Sequence, residues 1–177
     1  GNQAASLWVQ KSNFRQDFAC KTGNTLNSVQ RKSLILNGGT GKTLLTPTVT
    51  VVNHSCPFCT LLPERIVAAN EAGWIVRDAY PVTHGHTLVI PRRHISSFFE
   101  LVADERQQLL LLLDIARAGL DVELHPQGYN IGINDGPAAG QTVPHLHIHL
   151  IPRYEGDIPD PRGGVRWVIP HKAKYWT

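Results

Sequence analysis

Three histidines stand at alternate positions in the run Pro144-His145-Leu146-His147-Ile148-His149-Leu150-Ile151-Pro152. In an extended strand alternate residues share a face, so this spacing predicts His145, His147 and His149 on one side and Leu146, Ile148 and Leu150 toward a core. Three imidazoles on one sheet face are costly to bury and odd to expose. Imidazole in such a place binds metal, attacks as a nucleophile, or carries protons. A second reactive group is Cys56-Pro-Phe-Cys59. Two thiols at this spacing form one half of a tetrahedral metal site, which imidazoles complete well. The redox reading of the same spacing needs a βαβ context that the flanks lack.

These groups need a scaffold. The chain has 177 residues, of which 42% are hydrophobic and 18% charged. That suffices for one domain with a core and an extension, and it excludes global disorder. The longest unbroken apolar run, Leu109 to Leu113, is too short to cross a bilayer, and no charged-then-apolar leader argues for secretion. A cytoplasmic location is expected. Gly1 is not an initiator, so the natural start is expected to be trimmed or to lie upstream. Three cysteines, two of them in the Cys-x-x-Cys pair, favour a reducing compartment and a metal clip over a disulfide framework.

The net charge of +3 hides an asymmetry. Residues 1–50 carry six basic side chains against Asp17 alone, the rest carries eleven basic and thirteen acidic groups, and all nine histidines follow residue 53. We therefore divide the chain into a basic extension, 1–50, and a histidine-rich domain, 51–177. The extension is expected to be a solvated arm packed on the domain or on a partner subunit, with contact to nucleic acid as the alternative.

Within the domain, Thr48–Val52 alternates enough for a short strand. Arg65–Ala69 and Trp74–Asp78, separated by the turn-forming Asn70–Gly73, predict a hairpin. His86–Ile90 reads as a third strand stopped by Pro91. From about Asp104 to Leu124 the apolar density predicts one long helix, with Asp104 and Glu105 suiting its N-terminal end. Gln127-Gly128 opens a strand over Tyr129–Ile133. The glycine turn Asn134–Gly140 leads into a last strand, roughly Val143–Ile151. The expected fold is α+β, an antiparallel sheet of about five strands with one major helix.

His145 to Ile151 meets in full the His-x-His-x-His-apolar-apolar pattern of the histidine triad superfamily of nucleotide hydrolases and transferases, which this chain resembles. The run Asp135-Gly-Pro-Ala-Ala-Gly-Gln-Thr-Val-Pro-His145, with Arg153 and Gly156-Asp157 after it, is similar to the diadenosine polyphosphate hydrolase branch. Pro81–Pro91, with Gly85-His86, resembles the second family motif, and Asp157–Tyr175 resembles tails of bacterial members. The resemblance covers about residues 54–177.

The resemblance implies a nucleotidyl-histidine mechanism. His147 takes the place of the nucleophile that attacks the α-phosphorus of a nucleotide. His149 would bind phosphate oxygens and assist the leaving group, and His86 would stand behind as a supporting imidazole. Asp78 matches the group that hydrogen-bonds the ribose, and Asn134 matches one that contacts the phosphate chain. Gln141 and Thr142 offer donors beside glycines that let the backbone approach phosphate. Phe58 and Val76 are candidates for the base pocket. The triad patterns of related uridylyltransferases and bacterial members also imply a structural zinc on Cys56, Cys59, His94 and His145. No organic cofactor is expected. Family members are commonly homodimers, which makes Trp167 or Trp176 of the tail a candidate lid.

A histidine at 149, where the transferases have glutamine, favours hydrolysis, although phosphorylase and phosphoramidase activities share the same site. The other readings are a non-catalytic nucleotide-binding module and a nucleic-acid-associated protein. Asn37-Gly-Gly-Thr-Gly-Lys-Thr43 imitates the end of a P-loop, but Leu36 stands where the first glycine is required. Cys20 is expected to be a packed or partly exposed residue without reactivity.

Overall fold

The computed structural model describes residues 56–176 and the backbone of Lys21–Thr22. The strand expected at Thr48–Val52, the P-loop imitation and Cys20 lie outside the described residues. In chain order the strands are β1 (Lys21–Thr22), β2 (Ile66–Ala69), β3 (Gly73–Arg77), β4 (Thr87–Pro91), β5 (Arg93–His94), β6 (Gly128–Gly132) and β7 (Ile148–Arg153). The helices are α1 (Ala103–Leu124) and the short α2 (Pro170–Ala173). Five strands form an antiparallel sheet in the order β2-β3-β4-β7-β6. β1 pairs in parallel with β5. The α+β architecture expected from the sequence is therefore the one found.

The predicted hairpin is β2–β3. Asn70 closes its turn, its Oδ1 accepting from the backbone N–H groups of Ala72 and Gly73, both at 2.9 Å, the Asx arrangement that suits this residue to turns. A Cβ on Gly73 would lie 2.6 Å from both the Ile90 carbonyl oxygen and a Leu109 methyl, so only glycine lets β3 run this close to β4 and α1.

The sheet has two covered faces. Leu109, Leu112, Ala116 and Leu120 recur at helical spacing along α1 and pack against Ile75, Val89, Ile148 and Leu150. The residues between these on the strands face the other way: Trp74, Val76, Leu88 and Ile90 form a second packed layer under Phe58, Leu61 and Ile66. The Cys56–Cys59 turn, closed by the Cys59 N–H to the Cys56 carbonyl at 3.1 Å, leads into this second layer.

Most strand limits shift by one residue from expectation, and two differences bear on the site. Pro91 is the last residue of β4, opposite Gly73, rather than its stop. The ladder of β7 begins at Ile148, not near Val143. Pro144 has no N–H to give to a ladder. The Leu146 N–H bonds the Ile95 carbonyl, and the His145 N–H bonds the Val143 carbonyl. The chain thus approaches the sheet through a bend and pairs only from the middle of the triad onward. The side-chain alternation survives this: Leu146, Ile148 and Leu150 are all buried in the helix-side core.

Candidate active site and metal centre

His145 is fully buried, and its two nitrogens have different neighbours. Nε2 lies 2.9 Å from the Pro91 carbonyl oxygen. A carbonyl can only accept, so Nε2 carries the proton and Nδ1 presents a lone pair. That lone pair faces the sulfurs of Cys56 at 3.4 Å and Cys59 at 3.5 Å. Cys59 Sγ is also 3.2 Å from His94 Nδ1. The four donor atoms all lie within 4.8 Å of one another. A tetrahedral ion with Zn–S and Zn–N bonds of ordinary length needs sulfur and nitrogen about 3.5 Å apart, so the residues fit such an ion. Burial pushes the His145 imidazole down to about 4, with the hydrogen bond to Pro91 opposing and His94 and His147 adding to the fall. A neutral ring is the form a metal requires, and the Nε2–H bond to a backbone carbonyl is the usual support for a ligating histidine.

His147 turns the other way along the chain. Its Nδ1 lies 2.8 Å from the backbone carbonyl of His145, which places the proton on Nδ1 and leaves Nε2 with its lone pair. The edge of Phe58 meets the His147 ring with centroids 5.1 Å apart, and the His149 ring stands 4.9 Å away.

His149 is reached by register. Val76 opposes Leu88, Leu88 opposes His149, and His149 opposes Gly132, so His149 continues the row of the second layer. Gly132 leaves the face beside it open, with nothing within 4 Å of where a Cβ would sit. His149 Nδ1 lies 3.0 Å from His86 Nε2, and His86 Nδ1 lies 3.3 Å from Asp78 Oδ2. Burial, with His147 and His86 adding, pushes His149 down to about 4 against a pull from Asp78. Burial likewise lowers His86, while Asp78 raises it and His147 lowers it further.

The structure thus brings His147, His149, His86, Asp78 and Phe58 together and splits His145 away toward the cysteines. The other predicted residues separate. Val76, a candidate for the base pocket, is 1% exposed inside the packed layer, so only Phe58 of that pair reaches an open surface. The Gln141 amide is occupied within the glycine turn, accepting from the Gly136 N–H at 3.0 Å and donating to the Ser96 carbonyl at 2.8 Å. It braces the turn and gives one of its two amide N–H groups to Ser96. Thr142 is exposed and Asn134 half-buried, and among the described residues no hydrogen bond ties either to the triad. Trp167 lines a cavity of about 460 Å³ with Val82, Asn130 and Ile151, on the sheet face that also carries His149. Trp176 instead lies against Gly163 and under the Arg162 guanidinium.

Sequence reasoning missed the backbone groups. The Pro91 carbonyl that orients His145 has no side-chain signature. Asp135 takes the Ser97 hydroxyl at 3.0 Å and the Phe98 N–H at 2.8 Å, anchoring the turn before the triad. Its position in the Asp135-Gly136 turn was the signal that could have pointed to it.

The HIT domain family model matches residues 60–156, more than half of the chain. This chain belongs to the HIT family. Protein hit of Bacillus subtilis is 40% identical over 59% of this chain and 75% of its own length. The bifunctional bis(5'-adenosyl)-triphosphatase/adenylylsulfatase FHIT of Arabidopsis thaliana is 37% identical, over 54% of this chain and 53% of that protein. The crystal structure of a Zn-bound histidine triad family protein from Mycobacterium smegmatis superposes with a TM-score of 0.53 at 35% identity. That match covers 67% of this chain and 94% of the other. Relatives of this HIT protein therefore include diadenosine triphosphatases, and among the described residues no helix is long and apolar enough to cross a membrane.

Proposed function

We propose that this HIT protein hydrolyses nucleotide conjugates, dinucleoside polyphosphates among them, at the α-phosphate through a nucleotidyl-histidine intermediate on His147. The observation that carries this reading is the bond from His147 Nδ1 to the His145 carbonyl. It fixes one tautomer and leaves the attacking lone pair on Nε2 with no rearrangement needed. His147 Nε2 forms a bond to phosphorus as the bond to the leaving oxygen breaks, and that oxygen takes a proton from His149. Water then attacks the phosphoramidate, yields a nucleoside monophosphate and restores His147. Phosphoryl transfer is largely positioning and charge stabilisation. The glycine turn braced by Gln141 and Asp135 suits the phosphate chain, with Asn134 at its start and Thr142 two residues beyond its end. In this reading Asp78 would hydrogen-bond the ribose and Phe58 would flank the base. The Arabidopsis relative carries both triphosphatase and adenylylsulfatase in its name. An adenylyl phosphorus with variable leaving groups is what such a pair of names shares.

Cys56, Cys59, His94 and His145 would hold one zinc ion. Four protein ligands leave no open position, so the ion would be structural. Its chemistry is a tether between the cysteine turn, the end of β5 and the start of the triad. We further propose a homodimer in a reducing cytoplasm, with the apolar Leu110, Leu111 and Ile131 exposed on the monomer and residues 1–50 as a separate basic extension. Sedimentation at micromolar concentration tests the dimer. Nucleoside monophosphate release from a small panel of adenylated substrates tests the activity; no release from any of them would refute it.

A further inference from the structure

The carboxylate of Asp78 has two neighbours within the fold. Its Oδ1 accepts the Tyr80 N–H at 2.9 Å, and its Oδ2 stands 3.3 Å from His86 Nδ1. Its own backbone N–H donates to the His86 carbonyl at 2.9 Å. The carboxylate is thus pinned beside the imidazole from both ends of the loop joining β3 to β4. Among the described residues the Val82 N–H donates to Nδ1 at 3.4 Å, and the Asp78 Oδ2 stands beside it as an ion-pair partner for the protonated ring. Protonation of Nδ1 would exchange the long neutral contact for a charge-assisted one to the carboxylate. The opposite nitrogen, Nε2, meets His149 Nδ1 at 3.0 Å. Asp78, His86 and His149 therefore stand in a continuous line that ends at His149 Nε2.

We propose that Asp78 is a positioning residue that acts through His86 to set the proton on His149 during departure of the leaving group. The proposal presupposes the hydrolase reaction above. In the resting chain His86 Nδ1 accepts the Val82 N–H, and His86 Nε2–H donates to His149 Nδ1. When the anionic phosphate chain binds, the pair takes up one proton. His86 then holds both N–H groups beside the carboxylate, and His149 holds Nε2–H. As the phosphorus–oxygen bond breaks, His149 gives its Nε2 proton to the departing oxygen and receives the His86 Nε2 proton on Nδ1. Water attack runs the transfer backwards, so protons balance over one turnover. Without the carboxylate, nothing offsets the burial that resists charging this pair.

Asp78→Asn separates this role from ribose binding, because an amide still hydrogen-bonds hydroxyl groups but cannot balance an imidazolium. Two esters of AMP serve as probes, an alkyl ester whose leaving oxygen needs a proton and a p-nitrophenyl ester whose leaving oxygen does not. The variant should keep KM within about threefold while kcat for the alkyl ester falls about a hundredfold, the scale of general acid catalysis. The loss for the p-nitrophenyl ester should be at least about tenfold smaller. A raised KM with unchanged kcat for both esters would reduce Asp78 to a ribose holder, and an equal kcat loss for both would reduce it to a structural residue. Failure of the underlying reaction looks different: wild-type protein would release AMP from neither ester.

Discussion

His145 supplies its carbonyl oxygen to His147 Nδ1 at 2.8 Å while its own ring faces the sulfurs of Cys56 and Cys59 at 3.4 and 3.5 Å. One residue thus joins the proposed zinc centre to the proposed nucleophile through its main chain.

Metal content follows directly. Protein never exposed to chelators should contain close to one zinc per chain by elemental analysis. Cys59→Ser should lower both the metal content and the melting temperature, by several degrees if the loss is the few kcal/mol expected of a structural site. Full activity and unchanged melting in metal-free protein would return the four residues to ordinary packing.

The nucleophile is tested by His147→Ala. Turnover should fall by several orders of magnitude, about what deleting a covalent nucleophile costs, with nucleotide binding within about tenfold of wild type. Rapid quenching at neutral or alkaline pH should trap labelled AMP on wild-type protein and none on the variant. Near wild-type hydrolysis by His147→Ala would overturn the mechanism.

His149→Gln imitates the transferase pattern. If His149 protonates the leaving group and later serves the water step, the variant should turn over slowly and accumulate adenylylated protein, visible as a mass shift in intact-protein spectrometry. Unchanged steady-state kinetics would leave His149 with a packing role only.

Stability should depend on pH through the same residue. The His149 pKa is depressed to about 4 from 6.5, so between these values the unfolded chain binds a proton that the native protein does not. Native stability is fully present above about 6.5 and is lost as pH falls toward about 4, His86 and His145 adding in the same direction. Thermal unfolding followed across this window should show the fall, and His149→Gln should flatten part of it. A variant with the wild-type slope would remove His149 as a source.

Gly73→Ala probes the fold apart from the chemistry. The new methyl would meet the Ile90 carbonyl and a Leu109 methyl at 2.6 Å, and overpacking of this kind costs about 1–3 kcal/mol. A denaturant midpoint equal to that of wild type would show that β4 and α1 yield without cost.

The hairpin, α1 and the triad were legible because each is written in local periodicity: a turn between two alternating runs, leucines at helical spacing, histidines at strand spacing. The start of β7 was not, because Pro144 interrupts a pattern that alternates straight through it, and the partner that reroutes the chain is the Ile95 carbonyl far away in sequence. The bracing role of Gln141 was hidden for a related reason. An amide in a glycine turn shows no partner until the positions of Ser96 and Gly136 are known. Val76, a base-pocket candidate, shares the sheet face of His149, but nothing in its sequence neighbours shows that Phe58, Leu61 and Ile66 close over its layer. The Cys-x-x-Cys pair was legible as half a site, and the family resemblance supplied the two histidines that the fold brings to it.

The alternation of Leu146, Ile148 and Leu150 with His147 and His149 makes the triad segment sensitive to parity. Removing one residue between Pro144 and His149 would exchange the two faces downstream of the cut or upstream of it, sending imidazole toward α1 or leucine toward the phosphate site. Removing two would keep every remaining side chain on its own face. Even steps alone preserve the two faces, and deleting two adjacent residues here still removes His145 or His147, a constraint that no single substitution there would reveal.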